Sequence, residues 1–170
     1  FIKKYNMIIC QKNKQTLQVD DFIFKCSIGS LGKTKKKREG DKKTPIGIFG
    51  LDKLFVRKDR VKKITSSLKI IYIKKNMGWC DDIKNKKKYN KLIRIDKNIK
   101  HEKLYRKNNN YDLIIPIKYN FNKPKLGLGS CIFIHLTKNY KPTAGCIALK
   151  KKDFLIMLKI INKKTKIKIY

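Results

Sequence analysis

Apolar positions along this chain cluster in short runs of strand length, separated by polar stretches rich in lysine and asparagine. Residues 7–10 and 22–28 are two such runs, and the polar turn residues of 11–20 between them predict a hairpin. Thr44-Pro45-Ile46-Gly47 is turn chemistry leading into a predicted strand over 48–55. Residues 68–73 and 111–119 are further strands, and Pro116 inside the second points to an edge position or a bulge. Residues 101–105 suit a short helical turn. Phe154, Leu155, Leu158 and Ile161 recur at helical spacing, which predicts an amphipathic helix over 151–163 with Asp153 as its cap. Residues 166–170 alternate as a closing strand. Without repeats or a Gly/Ser linker, residues 1–170 are expected to form a single, mostly β domain. The pattern predicts a β-sandwich or bent barrel of mixed strands, with one or two short helices.

The chemistry concentrates in residues 130–149. Cys131-Ile132-Phe133-Ile134 is an apolar run suited to a buried strand, and His135 stands at its end. A polar connection with Pro142 follows, then Thr143-Ala144-Gly145-Cys146 leads into a second apolar piece, 147–149. A strand, a loop and a return strand would bring His135 and Cys146 side by side. An imidazole next to a thiol can take its proton and so make the nucleophilic thiolate. Gly145 removes a side chain where a substrate would approach and tolerates a strained turn. Backbone N–H groups of Gly145 and Cys146 could bind the oxyanion formed when a carbonyl is attacked. The same residues also fit a purely structural role, with His135 capping a strand end and Cys146 packing as a small hydrophobe.

Composition changes this picture in two ways. The chain has 45 Lys+Arg against 12 Asp+Glu, a net charge of +33, which favours anionic partners. Lysine, isoleucine and asparagine are abundant together, however, as an A/T-rich coding sequence would give whatever the function. The five cysteines include no CxxC pair and the two histidines lie far apart, a spacing that predicts no zinc site. Cys10, Cys26 and Cys131 read as core residues, and an odd number leaves at least one thiol unpaired. Asp81 and Asp82 lack the alternating oxygen ligands of a calcium loop and read as a turn or cap. His101 reads as structural. No apolar stretch reaches the roughly 18–20 residues that span a membrane. The first residue is Phe1 rather than methionine, and no signal peptide is legible in these residues.

His135 and Thr143-Ala144-Gly145-Cys146-Ile147 resemble, position by position, the nucleophile motif of the L,D-transpeptidases (YkuD-like catalytic domain). The stretches 42–49, 77–82, 89–90, 101–105, 111–114, 118–120 and 129–130 resemble the short stand-alone branch of the same family, so the likeness extends over roughly residues 30 to 158. It implies a cysteine acyltransferase acting on peptidoglycan stem peptides outside the cytoplasmic membrane, with no metal or organic cofactor. Cys146 would be the nucleophile and His135 its base. The Leu136 carbonyl would orient the imidazole, and Thr143, Thr44 and Trp79 would border the substrate groove. Hydrolysis of the thioester would add L,D-carboxypeptidase activity. Ala148 departs from the family, in which many members carry Arg two residues after the nucleophile. Two rivals stand beside this reading. One is a non-enzymatic basic domain that binds anionic wall polymer or nucleic acid through lysine runs 35–38, 84–88 and 150–152. The sequence lacks the aromatic motifs of RNA binders and any helix-turn-helix, which weighs against nucleic acid. The other is a cysteine hydrolase of a different amide.

Overall fold

Isoleucine, valine, phenylalanine and tyrosine fill most of the apolar runs, and their branched or flat side chains fit a pleated surface better than a helix. A computed structural model describes residues 7–170. The chain order is β1 (Met7–Cys10), β2 (Thr16–Val19), β3 (Phe22–Ser27), β4 (Lys33–Thr34), β5 (Thr44–Pro45), β6 (Gly47–Gly50), β7 (Leu54–Val56) and β8 (Ile70–Tyr72). It continues with β9 (Met77–Cys80), β10 (Leu92–Arg94), β11 (His101–Lys103), β12 (Leu113–Pro116), β13 (Phe133–Leu136), β14 (Ile147–Leu149), α1 (Lys151–Ile160) and β15 (Lys166–Ile169). The fold is mostly β with a single helix among the described residues, and its sheets do not close.

Ten strands form one sheet in the order β6-β15-β1-β2-β3-β14-β13-β12-β7-β8. Strand β3 joins its halves: residues 22–25 pair with β2, whereas Cys26 and Ser27 pair with β14. Ile8, Leu17 and Ile167 from one half share a core with Val56, Ile115 and Ile134 from the other, and with Phe154 and Met157 of α1. The sheet therefore bends around one core. On its far side a second apolar cluster of Phe55, Trp79, Leu104, Tyr111, Phe133 and Cys146 lies under the small β10-β9-β11 sheet. Strand β13 is buried on both faces, which is why its sequence is almost wholly apolar.

The structure differs from several sequence-based expectations. The predicted strand over 48–55 breaks at residues 51–53 into β6, at one end of the sheet order, and β7, next to last at the other. Residues 11–20 are more than a turn, since β2 occupies 16–19 and pairs on both sides. Residues 101–103 form β11, not a helical turn, because pairing with β9 supplies the backbone with partners. Pro116 lies on an interior strand; β7 pairs only with Leu113 and Ile114, so the proline falls past that ladder and its carbonyl accepts from Asp52 N–H at 2.9 Å. The helix starts after Lys150 with no side-chain cap, and Asp153 sits in the first turn, where a carboxylate faces the positive end of the dipole.

Because Phe154 is fully enclosed between α1 and the sheet, Phe154→Ala should cost about 3–5 kcal/mol. Thermal unfolding should show a midpoint lowered by roughly 10 °C; a loss below about 1 kcal/mol would mean that the helix is not pinned at this residue.

Candidate active site

Strands β13 and β14 pair in parallel, not as the hairpin expected from the sequence. The register sets His135 beside Ala148, so Cys146, two residues earlier, falls beside Phe133. Alternation then puts His135, Ala148, Phe133 and Cys146 on the same face. A two-residue offset across one strand spacing separates the Cα atoms of His135 and Cys146 by roughly 8 Å, a gap that an imidazole and a thiol side chain can bridge. Both residues line one cavity of about 910 Å³, together with Thr143, Tyr111 and Arg106.

The turn that carries Cys146 is held from several sides. Gly145 has φ +139°, and a Cβ there would stand 2.9 Å from the Lys43 carbonyl oxygen and 3.3 Å from an Ile132 methyl. Both the backbone angle and the close approach require glycine. The Thr44 hydroxyl donates to the Gly145 carbonyl and accepts from Gly29 N–H, each at 2.9 Å. Thr143 donates to the Cys146 carbonyl at 2.6 Å and accepts from Gly145 N–H at 3.1 Å. The Gly145 amide, one of the two expected oxyanion donors, is thus engaged by Thr143 in this arrangement.

The imidazole is oriented by its own backbone neighbour. His135 Nδ1 lies 2.9 Å from the Leu136 carbonyl oxygen, an atom that only accepts, so Nδ1 carries the proton and Nε2 is the free base. The Tyr111 ring packs against the imidazole with centroids 5.1 Å apart. Burial lowers His135 to about 4, against a smaller opposing effect of the Leu136 carbonyl. Burial likewise pushes Cys146 up to about 12, with the Glu102 charge adding to it. The resting pair is therefore a thiol and a neutral imidazole. The thiol donates to the Cys131 carbonyl at 3.1 Å and its sulfur accepts from Phe133 N–H at 3.4 Å; no hydrogen bond joins it to the His135 ring.

The other expected site residues divide. Thr143 lines the cavity. Thr44 has no exposure and serves the turn from beneath, so it is not a groove wall. Trp79 is also enclosed, packed on Phe55 and Phe133 with its indole N–H donated to Asn90 Oδ1 at 2.9 Å. Asp82 makes the expected turn, accepting from Lys84 N–H at 2.9 Å, and His101 Nδ1 meets the Ile99 carbonyl at 2.6 Å. Cys131, read as plain core, has φ +55° and lines the cavity. Sequence reasoning assigned no role to Glu102, Arg106 or Tyr111, which also line it. Their one local signal is the opposite charge of Glu102 and Arg106 four residues apart, a spacing that reads as an ordinary surface pair.

The family model of the L,D-transpeptidase catalytic domain (YkuD) matches residues 2–169. Among solved structures, the fold resembles the helical cell shape determining protein Pgp2 from Campylobacter jejuni at 18% identity and a TM-score of 0.54, over 97% of this chain and 47% of that one. It also resembles Bdellovibrio bacteriovorus Bd1075 at 17% identity and a TM-score of 0.52, over 98% of this chain and 48% of that one. The chain thus spans about half the length of these structures. No curated protein matches its sequence.

Replacing the Thr44 hydroxyl with a methyl group would leave the Gly145 carbonyl and the Gly29 amide without their buried partner. Thr44→Val should therefore lower stability by about 2–4 kcal/mol, read by denaturant unfolding. A loss under about 0.5 kcal/mol would show that the turn does not depend on this hydroxyl.

Proposed function

The chain belongs to the L,D-transpeptidase catalytic-domain (YkuD) family, and from that premise we propose that it is a cysteine acyltransferase acting on peptidoglycan stem peptides. The observation that carries the reading is the placement of Cys146 and His135 on one face of β13 and β14, at one cavity, with the imidazole's proton fixed on Nδ1.

The reaction starts with the Cys146 S–H leaving the Cys131 carbonyl and turning to His135 Nε2, which takes the proton. The sulfur bonds to the substrate carbonyl carbon, and the electron pair of the C=O moves to oxygen. Collapse of this intermediate re-forms the carbonyl and breaks the C–N bond, and His135 returns its proton to the departing amine. A thioester on Cys146 remains. An acceptor amine attacks it to give a new amide and restores the thiol; water in its place gives a carboxylate and L,D-carboxypeptidase activity. Backbone N–H groups at the Cys146 turn are the donors for the oxyanion. Gly145 serves there once Thr143 releases its amide. Such chemistry places the protein's work at the cell wall, outside the cytoplasmic membrane, with a part in wall synthesis and cell shape.

Burial disfavours the charged form of both groups, so the resting pair is uncharged and proton transfer from the Cys146 thiol to His135 is uphill in the resting state. With His135 at about 4, the base is available at every pH above that value and is lost below it. A thiol at about 12 keeps the thiolate scarce until the imidazole removes the proton within the complex.

Wild-type protein incubated with a carbapenem should gain the mass of one adduct, and Cys146→Ala should gain none; an adduct that persists in the variant places the nucleophile elsewhere. The acylation rate should hold level from about pH 6 to pH 8 and fall about tenfold per pH unit below pH 4, as His135 becomes protonated. A midpoint near 6.5, the value of an unperturbed histidine, would sink the assignment of a buried neutral base.

A further inference from the structure

Glu102 and Arg106 form a charged pair in the wall of the cavity that Cys146 and His135 line, and the chemistry set out above leaves Arg106 without a task. Its Nη2 is bound to Glu102 Oε1 and its Nε donates to the Lys103 carbonyl at 3.0 Å. The guanidinium lies 3.7 Å over the Tyr111 ring, and the Tyr111 hydroxyl donates to the same Glu102 oxygen. Arg57 Nη1 donates to the Arg106 carbonyl at 2.7 Å, which fixes the backbone as well. Since Tyr111 also packs on His135, a single ring separates the guanidinium from the imidazole. Nη1 of Arg106 has no partner among the described residues, and the side chain is 30% exposed at the cavity wall.

The other bases at this cavity do not match that description. Lys37 is enclosed, with its ammonium given to Asp41 and the Arg38 carbonyl. Lys100 pairs with Asp81 at 3.4 Å, with a side chain 70% exposed. Lys84 and Lys141 are exposed at the rim. Only Arg106 combines a fixed plane, an aromatic support and unused donors beside the Cys146–His135 pair. A guanidinium held in this way suits a flat anion that it can grip with two N–H groups, and a carboxylate has that geometry.

We propose that Arg106, held in place by Glu102 and Tyr111, is the anchor for a free carboxylate on the acyl donor, next to the bond that Cys146 attacks. The inference rests on the acyltransferase reading for the identity of the donor, but the binding it requires can be measured without any reaction. Glu102 fixes the fork and takes one N–H; the ligand takes those that remain. An uncharged carboxamide in the same place meets the fork with an oxygen that carries no full charge, and it loses the charge-assisted bonds.

The test uses two stem peptides that differ only in ending in a carboxylate or a carboxamide. Titrated into the Cys146→Ala protein, the acid should bind at least about tenfold more tightly than the amide, a difference of about 1.4 kcal/mol. In the Cys146→Ala, Arg106→Gln double variant, that preference should fall to about twofold or less. Arg106→Lys keeps the charge without the fork and should retain only part of it. Circular dichroism checks each variant; should Arg106→Gln fail to fold, the lysine variant carries the comparison. Equal binding of acid and amide to Cys146→Ala, or a preference that Arg106→Gln or Arg106→Lys leaves intact, overturns the anchor. Acylation of the wild type separates this inference from the function it rests on. Acid-selective, Arg106-dependent binding without any thioester keeps the anchor and removes the acyltransferase, whereas a thioester formed without acid selectivity does the reverse.

Discussion

The Thr44 hydroxyl is the joint on which the site depends. It bonds in one direction to the Gly145 carbonyl and in the other to the Gly29 amide, so it ties together three segments far apart in the chain. None of those groups meets water, and each would be left without a partner if the hydroxyl were lost. The Gly145 backbone, at φ +139° with the Lys43 carbonyl oxygen close to where a Cβ would stand, admits no other residue without strain. The place of Cys146 follows from that joint, since the next residue begins the strand that pairs with β13. Hydrogen bonds from Thr44 and Thr143 converge on this short segment and hold it in one position.

Burial then decides the electrostatics. Cys146 and His135 are 7% and 8% exposed, and the same desolvation raises one and lowers the other. Both shifts favour the uncharged forms. The structure thus holds a neutral thiol and a neutral imidazole, not a thiolate next to an imidazolium. The hydrogen bond from the thiol to the Cys131 carbonyl belongs to this resting arrangement: it satisfies a polar group that would otherwise be buried without a partner.

Charge is distributed unevenly between surface and cavity. The whole chain carries +33, yet four of its 12 acidic residues, Glu39, Asp81, Asp82 and Glu102, line this one cavity. Glu39 accepts from Ser130 at 2.7 Å and from the Tyr89 hydroxyl, and Glu102 accepts from Tyr111 and Arg106. Glu39 and Glu102 therefore work as fixed hydrogen-bond acceptors in the walls, and the bases Lys37, Lys84, Lys100, Arg106 and Lys141 line the same cavity. Behind the wall, Asp112 receives Arg60 at 3.0 Å and Asn109 at 2.8 Å, which fastens the start of β12 beside Tyr111. The walls of the cavity thus carry charges of both signs.

The sequence alone determined the strand-rich class, the closing helix and strand, and the presence of one histidine and one cysteine on neighbouring strand ends. Those features are local: apolar runs have a length, a helix has a period, and Gly145 before Cys146 needs only neighbouring residues to be read. Tertiary structure alone decided that β13 and β14 run parallel, that 48–55 splits between distant strands, and that 101–103 is a strand. It also withdrew Thr44 and Trp79 from the groove and brought Glu102, Arg106 and Tyr111 to the wall. The physical reason is common to all of these. Strand direction, burial and the reach of a polar side chain depend on partners dozens of residues away, and the residue pattern around a position carries no record of which partner it will meet.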